Sequence, residues 1–146
     1  MALHPQVASA LKMAEELNLP ALNTQTPEAA RVAAKVNTAA APTEHDDVHS
    51  VRDTVIPGPG GDLPVRIYTP SEATDHSLIV WFHGGGWVIG DLDNEDPACR
   101  VISNATNSVI VSIDYRLSPD VRFPEPVEDC YAGLLWAHKH ATELGA

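Results

Sequence analysis

The sequence predicts an α/β fold in which two helices precede a sheet that begins as an antiparallel hairpin and continues with parallel strands. Three observations carry this prediction. Apolar residues recur every three or four positions up to about residue 40, which is helical spacing. Short apolar runs bounded by glycine and proline follow, as is typical of strands. The chain then continues as strand, helix, strand, helix, and this order favours a parallel sheet.

Two helices are predicted in residues 1–44, which we expect to form a helical cap segment. The first has one apolar face, made of Val7, Ala10, Leu11, Ala14 and Leu17. Asn18 and Pro20 end it. The second begins at Pro27, after the capping hydroxyl of Thr26. Its apolar face is alanine-rich, which predicts close packing on another element, and consists of Ala29, Val32, Ala33, Val36 and Ala40.

Four strands are predicted in the second part of the chain. Residues 48–56 alternate, with Val51, Asp53 and Val55 on one side. The composition of residues 57–62 predicts a turn, and residues 63–68 form the returning strand. Residues 78–82 and 108–113 are continuous apolar runs, as expected of strands covered on both faces.

Two further helices separate and follow the last strands. The first spans about residues 95–107, with Val101 and Ile102 facing inward. The second begins near Pro126 and ends before Gly145. Its predicted apolar face consists of Val127, Cys130, Tyr131, Leu134, Leu135 and His138, the last interpreted as a packed core histidine.

Length and charge narrow the class of protein. The 146 residues are 44% hydrophobic, which suits one domain with a sizeable core. A formal charge of −11 disfavours binding to nucleic acid or anionic lipid. We find no secretory signal and expect no membrane span. Cys99 and Cys130 fall in predicted helices, and reduced thiols are favoured over a disulfide, which fits the cytoplasm.

The segment from His83 to Trp87 is the most informative in the chain. A predicted buried strand ends at Phe82, and glycines follow at 84, 85 and 86. Consecutive glycines cost conformational entropy, so they indicate a close backbone approach or positive φ angles. Backbone N–H groups exposed in such a loop can converge on a developing oxyanion. A plain glycine-rich turn and a phosphate-binding loop are the alternatives, although no G-x-G-x-x-G or Gly-Lys-Ser/Thr pattern is present.

Three motifs in order resemble those of the hormone-sensitive-lipase-like esterases of the α/β-hydrolase superfamily. His83-Gly84-Gly85-Gly86-Trp87 resembles their HGGG(W/F) signature, and residues 114–120 (DYRLSPD) resemble their D-Y-R-L-A-P-E block. Residues 123–136 resemble their F-P-x-x-x-E-D…W helix. Ser118 and Asp120 depart from the commoner alanine and glutamate. The resemblance spans about residues 45–146, and implies that this part is an incomplete α/β-hydrolase domain.

The resemblance also implies roles for individual residues. Gly85 and Gly86 would donate to the tetrahedral intermediate and Gly84 would shape the turn, although the sequence leaves open which two glycines donate. His83 would anchor this loop rather than act as the base, and Trp87 would contact substrate. Three residues after the last strand would support the loops around the site or form a salt-bridged strand end: Asp114, Tyr115 and Arg116. We interpret Asp129 as structural.

The Ser-Asp-His triad of such an enzyme is not found in these residues. None of the serines lies in a G-x-S-x-G elbow, which the resemblance places after one more strand. Cys99 and Cys130 lack a glycine elbow and are expected to be small apolar residues. His45 and His49 have a spacing that can bind metal on a helix, but they open a strand and no third ligand is evident. We therefore expect neither a metal nor a cofactor.

The resemblance implies a carboxylic-ester hydrolase lineage acting on short or medium acyl esters. The chain would contribute the oxyanion-hole loop and be inactive alone. A non-catalytic module that binds a small ligand and a non-functional gene fragment remain as alternatives. In the resembled fold, the strand before the HGGG loop pairs with the strand that carries the nucleophile. Without that neighbour, residues 78–82 would be an exposed apolar edge, and we expect self-association through it.

Overall fold

The computed structural model describes residues 3–17, 20–40 and 45–146. The order of elements is as predicted. The helices are α1 (Pro5–Leu17), α2 (Pro27–Ala40), α3 (Leu92–Thr106) and α4 (Glu125–Lys139), and the strands are β1 (Ser50–Gly58), β2 (Gly61–Thr69), β3 (Ser77–Phe82) and β4 (Ser108–Ile113). Short 3₁₀ turns lie at Leu22–Thr24 and Thr142–Leu144. No helix in these ranges is both long and apolar enough to cross a membrane.

The four strands form one mixed sheet with the order β1-β2-β4-β3. β1 pairs with β2 and β2 pairs with β4 in antiparallel orientation, whereas β3 pairs with β4 in parallel. The predicted antiparallel start and parallel continuation are therefore confirmed. β1 and β3 are the two edges of this sheet in the described part of the chain.

The hairpin turn between β1 and β2 is tighter than the predicted turn at residues 57–62. Pro57 and Gly58 already pair with Asp62 and Gly61, so only residues 59–60 lie outside the ladder. Gly61 has a φ of +119°, a conformation that glycine adopts without the steric cost of a side chain. Gly58 and Gly61 therefore belong to the paired strands, and the loop between them has two residues.

The core lies on both faces of the sheet. Every residue of β4 is buried, as the sequence predicted. One cluster lies on the α4 side of the sheet and contains Ile56, Leu63, Val65, Ile67, Val109, Val111, Ile113, Tyr115 and Ala137. A smaller cluster on the α3 side contains Tyr68, Cys99 and Ile110. β3 is covered less completely than predicted, because its four central residues are only partly buried.

The buried face of α4 differs from the predicted one. Small residues and one carboxylate face the sheet, namely Pro126, Asp129, Gly133 and Ala137. The predicted core residues Val127, Tyr131, Leu134 and Leu135 are 43–60% exposed, and His138 is also exposed. The reason is the short distance between helix and sheet, since a Cβ on Gly133 would lie 2.7 Å from Cδ1 of Ile113. Apolar periodicity identified this helix, but small side chains decide which face packs.

The inward faces of α2 and α3 also require correction. On α2, Val32 and Val36 are 59% and 61% exposed, whereas Ala30 is buried. On α3, the predicted inward residue Val101 is 50% exposed, while Ile102 packs beside the smaller core cluster. The buried residues of α3 are Asp96, Cys99 and Ser103, so small and polar side chains face the body of the protein there.

A buried carboxylate fixes α3 on the sheet. Asp96 accepts a hydrogen bond of 3.0 Å from the hydroxyl of Tyr68 on β2 and one of 2.7 Å from Nε of Arg100. Arg66 of β2 lies 3.5 Å from the same carboxylate and also binds Asp53 and Asp93. A buried carboxylate is tolerated only when it is paired in this way. These bonds therefore hold the first half of α3 against β2.

The two cysteines are unpaired thiols in helices, as predicted. Cys99 on α3 is fully buried and Cys130 on α4 is partly buried. Burial raises the pKa of Cys99 to about 12 and that of Cys130 to about 11. Both therefore remain protonated near neutral pH, which agrees with their interpretation as small apolar residues rather than nucleophiles.

Candidate active site

The glycine-rich loop occupies residues 83–90, between the end of β3 and the start of α3. Asp91 caps α3 by accepting a hydrogen bond of 2.9 Å from the N–H of Asn94. The N–H groups of Val88 and Ile89 both donate to the carbonyl of Gly85, at 3.1 Å. The loop is therefore a closed turn between a strand end and a helix start, as expected for a site built where parallel strands end.

Two glycines in this loop have no room for a side chain. Gly85 has a φ of +122°, and a Cβ there would lie 2.0 Å from the carbonyl oxygen of Ile89. Gly90 has a φ of +104°, and a Cβ would lie 2.3 Å from Nδ1 of His83. Gly86 also has a positive φ, of +61°, whereas Gly84 does not, and a Cβ on Gly84 would meet no atom within 4 Å. Sequence reasoning missed Gly90, whose signal was its position just before a helix cap.

The N–H groups of Gly84, Gly85 and Gly86 are not donors in any hydrogen bond among the described residues. This contrasts with Val88 and Ile89, whose N–H groups are satisfied within the same turn. Backbone N–H groups are rarely left without an acceptor unless water or a ligand supplies one. The loop thus presents free donors next to residues that are themselves firmly bonded.

His83 lies beneath the loop and is only 4% exposed. Its Nδ1 lies 2.7 Å from the carbonyl oxygen of Gly84 and donates a hydrogen bond to it, and Nε2 is the other ring nitrogen. That Nε2 has no hydrogen-bond partner among the described residues. The ring stacks on Tyr115 with centroids 4.2 Å apart. His83 is therefore packed against the loop that follows it.

Tyr115 forms a hydrogen bond to His83, the residue at which the loop starts. Its hydroxyl donates a hydrogen bond of 2.6 Å to the carbonyl of His83. Burial raises the pKa of Tyr115 to about 12, which keeps the hydroxyl a donor at physiological pH. A strand-end tyrosine thus fixes the residue from which the three glycines start.

Trp87 lies at the outer end of the glycine run. It has a φ of +64°, which is rare for a bulky residue, and its side chain is 47% exposed. Its ring is tilted by 60° against Tyr115 at a centroid distance of 5.3 Å. The Trp87 carbonyl accepts a hydrogen bond of 2.8 Å from the N–H of Ser118. This bond joins the glycine loop to the segment that follows Arg116.

Arg116 and Asp129 form a paired clasp between the end of β4 and α4. Nε and Nη2 of Arg116 donate to the two carboxylate oxygens of Asp129 at 2.8 and 2.9 Å, and the Arg116 N–H donates at 3.1 Å. Nη1 donates to Glu125 at 2.8 Å. Gly60 lies against the guanidinium, since a Cβ there would be 2.2 Å from Nη1. These contacts orient the chain after β4. Asp129 is 1% exposed, and its carboxylate holds the backbone and side chain of Arg116.

Asp114 lies next to a polar cleft of about 350 Å³ between α2 and the loops. Burial raises the pKa of Asp114 above its ordinary value, and the nearby positive charge of Lys35 only partly opposes this. No group of three or more His, Cys, Asp or Glu side chains in the described ranges is placed to hold a metal ion. Charged side chains line much of this cleft, among them Arg31, Lys35 and Asp91.

An apolar groove of about 550 Å³ runs between the N-terminal helical segment and the glycine loop. Its walls are mainly aliphatic and include Leu22, Pro27, Ala30, Val88 and Ile89, and its floor includes Gly85 and Gly86. A second groove of about 330 Å³ lies on the other side of the loop, between Trp87 and Phe123. Gly86 thus lines both apolar grooves, and Gly85 lines the larger one.

Arg31 is a site residue that sequence reasoning missed. It lies on α2 among alanines, and its side chain reaches the loop from the helical segment. Its three guanidinium nitrogens donate to Val88, Ser118 and Asp120. The only sequence signal was a single arginine within an alanine-rich stripe, and such a residue is normally interpreted as solvent-exposed.

Comparison with known proteins agrees with this arrangement. A family model described as alpha/beta hydrolase fold matches residues 79–146. The carboxylic ester hydrolase LipN of Mycobacterium tuberculosis is 48% identical over 97 residues, covering 66% of this chain and 26% of LipN. An arylesterase of Saccharolobus solfataricus is 41% identical over 100 residues, covering 68% of this chain and 33% of that protein.

Solved structures extend the likeness to the whole chain. The hyperthermophilic esterase from the archaeon Pyrobaculum calidifontis matches 100% of this chain with a TM-score of 0.91 at 30% identity. The match covers 47% of that esterase, so this chain spans about half the length of its structural relatives and less of its sequence relatives. The free donors, the anchoring aromatic pair and these likenesses lead to one assignment. The chain has the α/β-hydrolase fold and is similar to about half of the length of an esterase.

Proposed function

We propose that the chain supplies the oxyanion hole of a carboxylic-ester hydrolase of the hormone-sensitive-lipase-like group. The free N–H groups of Gly85 and Gly86 carry this proposal. When a serine attacks an ester carbonyl, the oxygen gains negative charge, and fixed donors about 2.7–3.1 Å away stabilise it. The closed turn below these groups and the His83–Tyr115 contacts keep such donors in place before the reaction, which avoids a reorganisation cost.

The substrate is an ester with a short or medium acyl chain. The aliphatic groove of about 550 Å³ supports this, because it opens on the two glycines and offers few polar partners. Trp87 borders the smaller groove and is exposed enough to contact a substrate there. One apolar part of the ester would lie on each side of the donors.

The reaction proceeds by serine acylation and deacylation, and the serine, acid and base come from outside these 146 residues. The 146-residue chain alone is therefore inactive. In the complete enzyme the charge on the oxyanion would be shared by the loop N–H groups, while Asp114, Tyr115 and Arg116 support the loop. Loss of one oxyanion donor typically lowers kcat by about 10²–10³.

A fused protein tests this function. Residues 1–146 are joined to the segment of the Pyrobaculum calidifontis esterase that the match leaves uncovered, and hydrolysis of an aryl butyrate is measured. We expect turnover by the fusion and none by the 146-residue chain above a heat-killed control. Gly85→Ala in the fusion should lower kcat by about 10²-fold, because a Cβ at residue 85 would lie 2.0 Å from the Ile89 carbonyl oxygen and would displace the N–H donors. Turnover by the chain alone, or a folded Gly85→Ala fusion with full activity, would reject the proposal.

A non-catalytic binding module is the second candidate. The apolar groove beside the loop favours it, since the groove exists in this chain without a nucleophile. Its test is a thermal shift of the 146-residue chain with a short-chain aryl ester that is not turned over. A rise in melting temperature that Ala30→Trp abolishes would support binding without catalysis, because Ala30 is a buried wall of this groove.

Three further proposals concern organisation. Residues 1–44 form a helical cap segment and residues 45–146 a partial hydrolase domain, although the boundary at residues 41–44 lies outside the described residues. Unpaired thiols at Cys99 and Cys130 support a cytoplasmic location. The chain associates with a second copy through β3. The edge strand β1 carries Arg52, Asp53 and Pro57, which discourage pairing, whereas β3 carries no charge and no proline.

A further inference from the structure

Arg31 joins three separate parts of the molecule through one side chain. Its Nε donates to the Val88 carbonyl at 2.8 Å, its Nη2 donates to the Ser118 carbonyl at 2.8 Å, and its Nη1 donates to the Asp120 carboxylate at 2.7 Å. The side chain is 26% exposed, so most of it is withdrawn from water. A buried guanidinium needs such partners, and here two of the three are backbone carbonyls.

The two carbonyls belong to segments that are already bonded to each other. Val88 donates its own N–H to the Gly85 carbonyl, and the Ser118 N–H donates to the Trp87 carbonyl. Arg31 therefore closes a ring of hydrogen bonds that runs from α2 to the glycine loop, then to the segment at residues 118–120, and back to α2. A change at any point of this ring alters the turn that contains Gly85 and Gly86.

We infer that Arg31 is a positioning residue that sets the conformation of the glycine loop and couples it to α2. This inference rests on the proposed oxyanion role of Gly85 and Gly86. Arg31 does not touch the donors themselves. It acts through the Val88 carbonyl, three residues after Gly85, and so limits the movement of the turn whose N–H groups would receive the oxyanion.

The geometry requires arginine rather than lysine. Three nitrogens of one planar group bind three acceptors in different directions, whereas a lysine offers a single nitrogen on a flexible stem. Arg31→Lys would keep the charge and the salt bridge to Asp120 but lose at least one carbonyl. This distinguishes positioning of the loop from a simple requirement for positive charge on α2.

Amide hydrogen exchange of the 146-residue chain tests the inference. The reporters are the N–H groups of Val88, Ile89 and Ser118, which are bonded inside the ring. We expect Arg31→Met to speed exchange at these amides at least about tenfold, while amides of the buried strand β4 keep their rates. Arg31→Lys should act in the same direction. Arg52→Met is the matched control, because Arg52 is exposed and makes no hydrogen bond through its side chain among the described residues.

Two outcomes would overturn the inference. Unchanged exchange at the three reporters would show that the loop does not depend on Arg31. An equal acceleration in β4 would show a general loss of stability instead of local positioning. If Arg31→Met does not fold, Arg31→Lys keeps the charge and the salt bridge to Asp120, and a rise of less than about twofold at Val88 and Ile89 in that variant would equally reject the inference. Amide exchange does not depend on turnover, so this measurement tests the role of Arg31 even if the proposed esterase function is wrong.

Discussion

At the scale of single residues, the loop conformation depends on where a side chain is impossible. Gly84, Gly85 and Gly86 look equivalent in the sequence, yet they differ in the structure. Gly85 has a positive φ and lies against a carbonyl oxygen, whereas Gly84 has open space where a Cβ would be. Of the three glycines, Gly85 is therefore the one at which a side chain is least tolerated.

Gly85→Ala should destabilise the chain, because the new Cβ would meet the Ile89 carbonyl at 2.0 Å and the backbone has a φ of +122°. Strain of this kind costs about 1–3 kcal/mol. Gly84→Ala is the matched control and should change the free energy of unfolding by no more than about 0.5 kcal/mol. Chemical denaturation of both variants measures the difference. Equal stability of the two would mean that the turn relaxes without cost.

The buried carboxyl of Asp114 predicts a pH-dependent effect. Burial raises its pKa above the ordinary value of 3.8, so folding favours the neutral form and the ionised form lowers stability at neutral pH. That loss disappears as the pH falls towards 3.8. Asp114→Asn should therefore raise the melting temperature at pH 7, and its advantage over the wild type should shrink as the pH is lowered.

Thermal melts across this pH range check the effect, with Asp62→Asn as the control because Asp62 is exposed at the hairpin turn. A stabilisation by Asp114→Asn that is constant with pH would show that the benefit comes from something other than removal of a charge. A destabilisation at pH 7 would show that the carboxylate makes contacts that outweigh its burial.

At the scale of elements, small residues determine how the helices meet the sheet. Gly133 lets α4 approach Ile113 closely, and the clasp between Arg116 and Asp129 fixes the start of the same helix. The larger apolar side chains of α4, among them Val127 and Tyr131, are left exposed as a consequence. The helix therefore presents two apolar surfaces, and only the one with small residues packs on this sheet.

Gly133→Val should destabilise the fold, since the added atoms would enter space that Ile113 already fills. Overpacking of this kind costs about 1–3 kcal/mol, and occasionally more. Leu135→Ala on the exposed side is the control and should cost no more than about 0.5 kcal/mol. Urea denaturation gives both values. If Leu135→Ala were the more harmful change, the assignment of the buried face would be wrong.

At the scale of the whole molecule, charge and edge strands act in opposite directions. The net charge of −11 repels a second copy, whereas the uncharged edge of β3 favours one. Salt weakens the repulsion and leaves strand pairing largely unaffected. Self-association should therefore increase as the ionic strength rises from about 0.01 M to about 1 M, over which the Debye length falls from about 30 Å to about 3 Å.

Sedimentation of two variants locates the contact. Phe82→Glu places a charge on β3 and should shift the chain towards monomer, whereas Val55→Glu adds the same charge to β1 and should not. Both side chains are substantially exposed, so neither change disturbs the core. A compact monomer for the wild type at every ionic strength would contradict the proposed association.

The sequence by itself determined the type and order of the elements, the mixed sheet and the glycine loop. Period, turn composition and local motifs are properties of neighbouring residues, and they survive without knowledge of the rest of the chain. They were less informative about burial. Val32, Val101 and Val127 have the spacing of core residues but are exposed. Periodicity finds an apolar face without stating what covers it.

The tertiary structure decided which faces pack and how the loop is held. Gly90 under His83, Gly133 on Ile113 and Arg31 on Val88 each depend on a partner distant in space or on an exact backbone angle, and no local pattern contains that information. Arg31 and Val88 are 57 residues apart in the chain. Hydrogen bonds between such residues form only after the sheet has brought them together, so the sequence could identify the glycine loop but not the arginine that positions it.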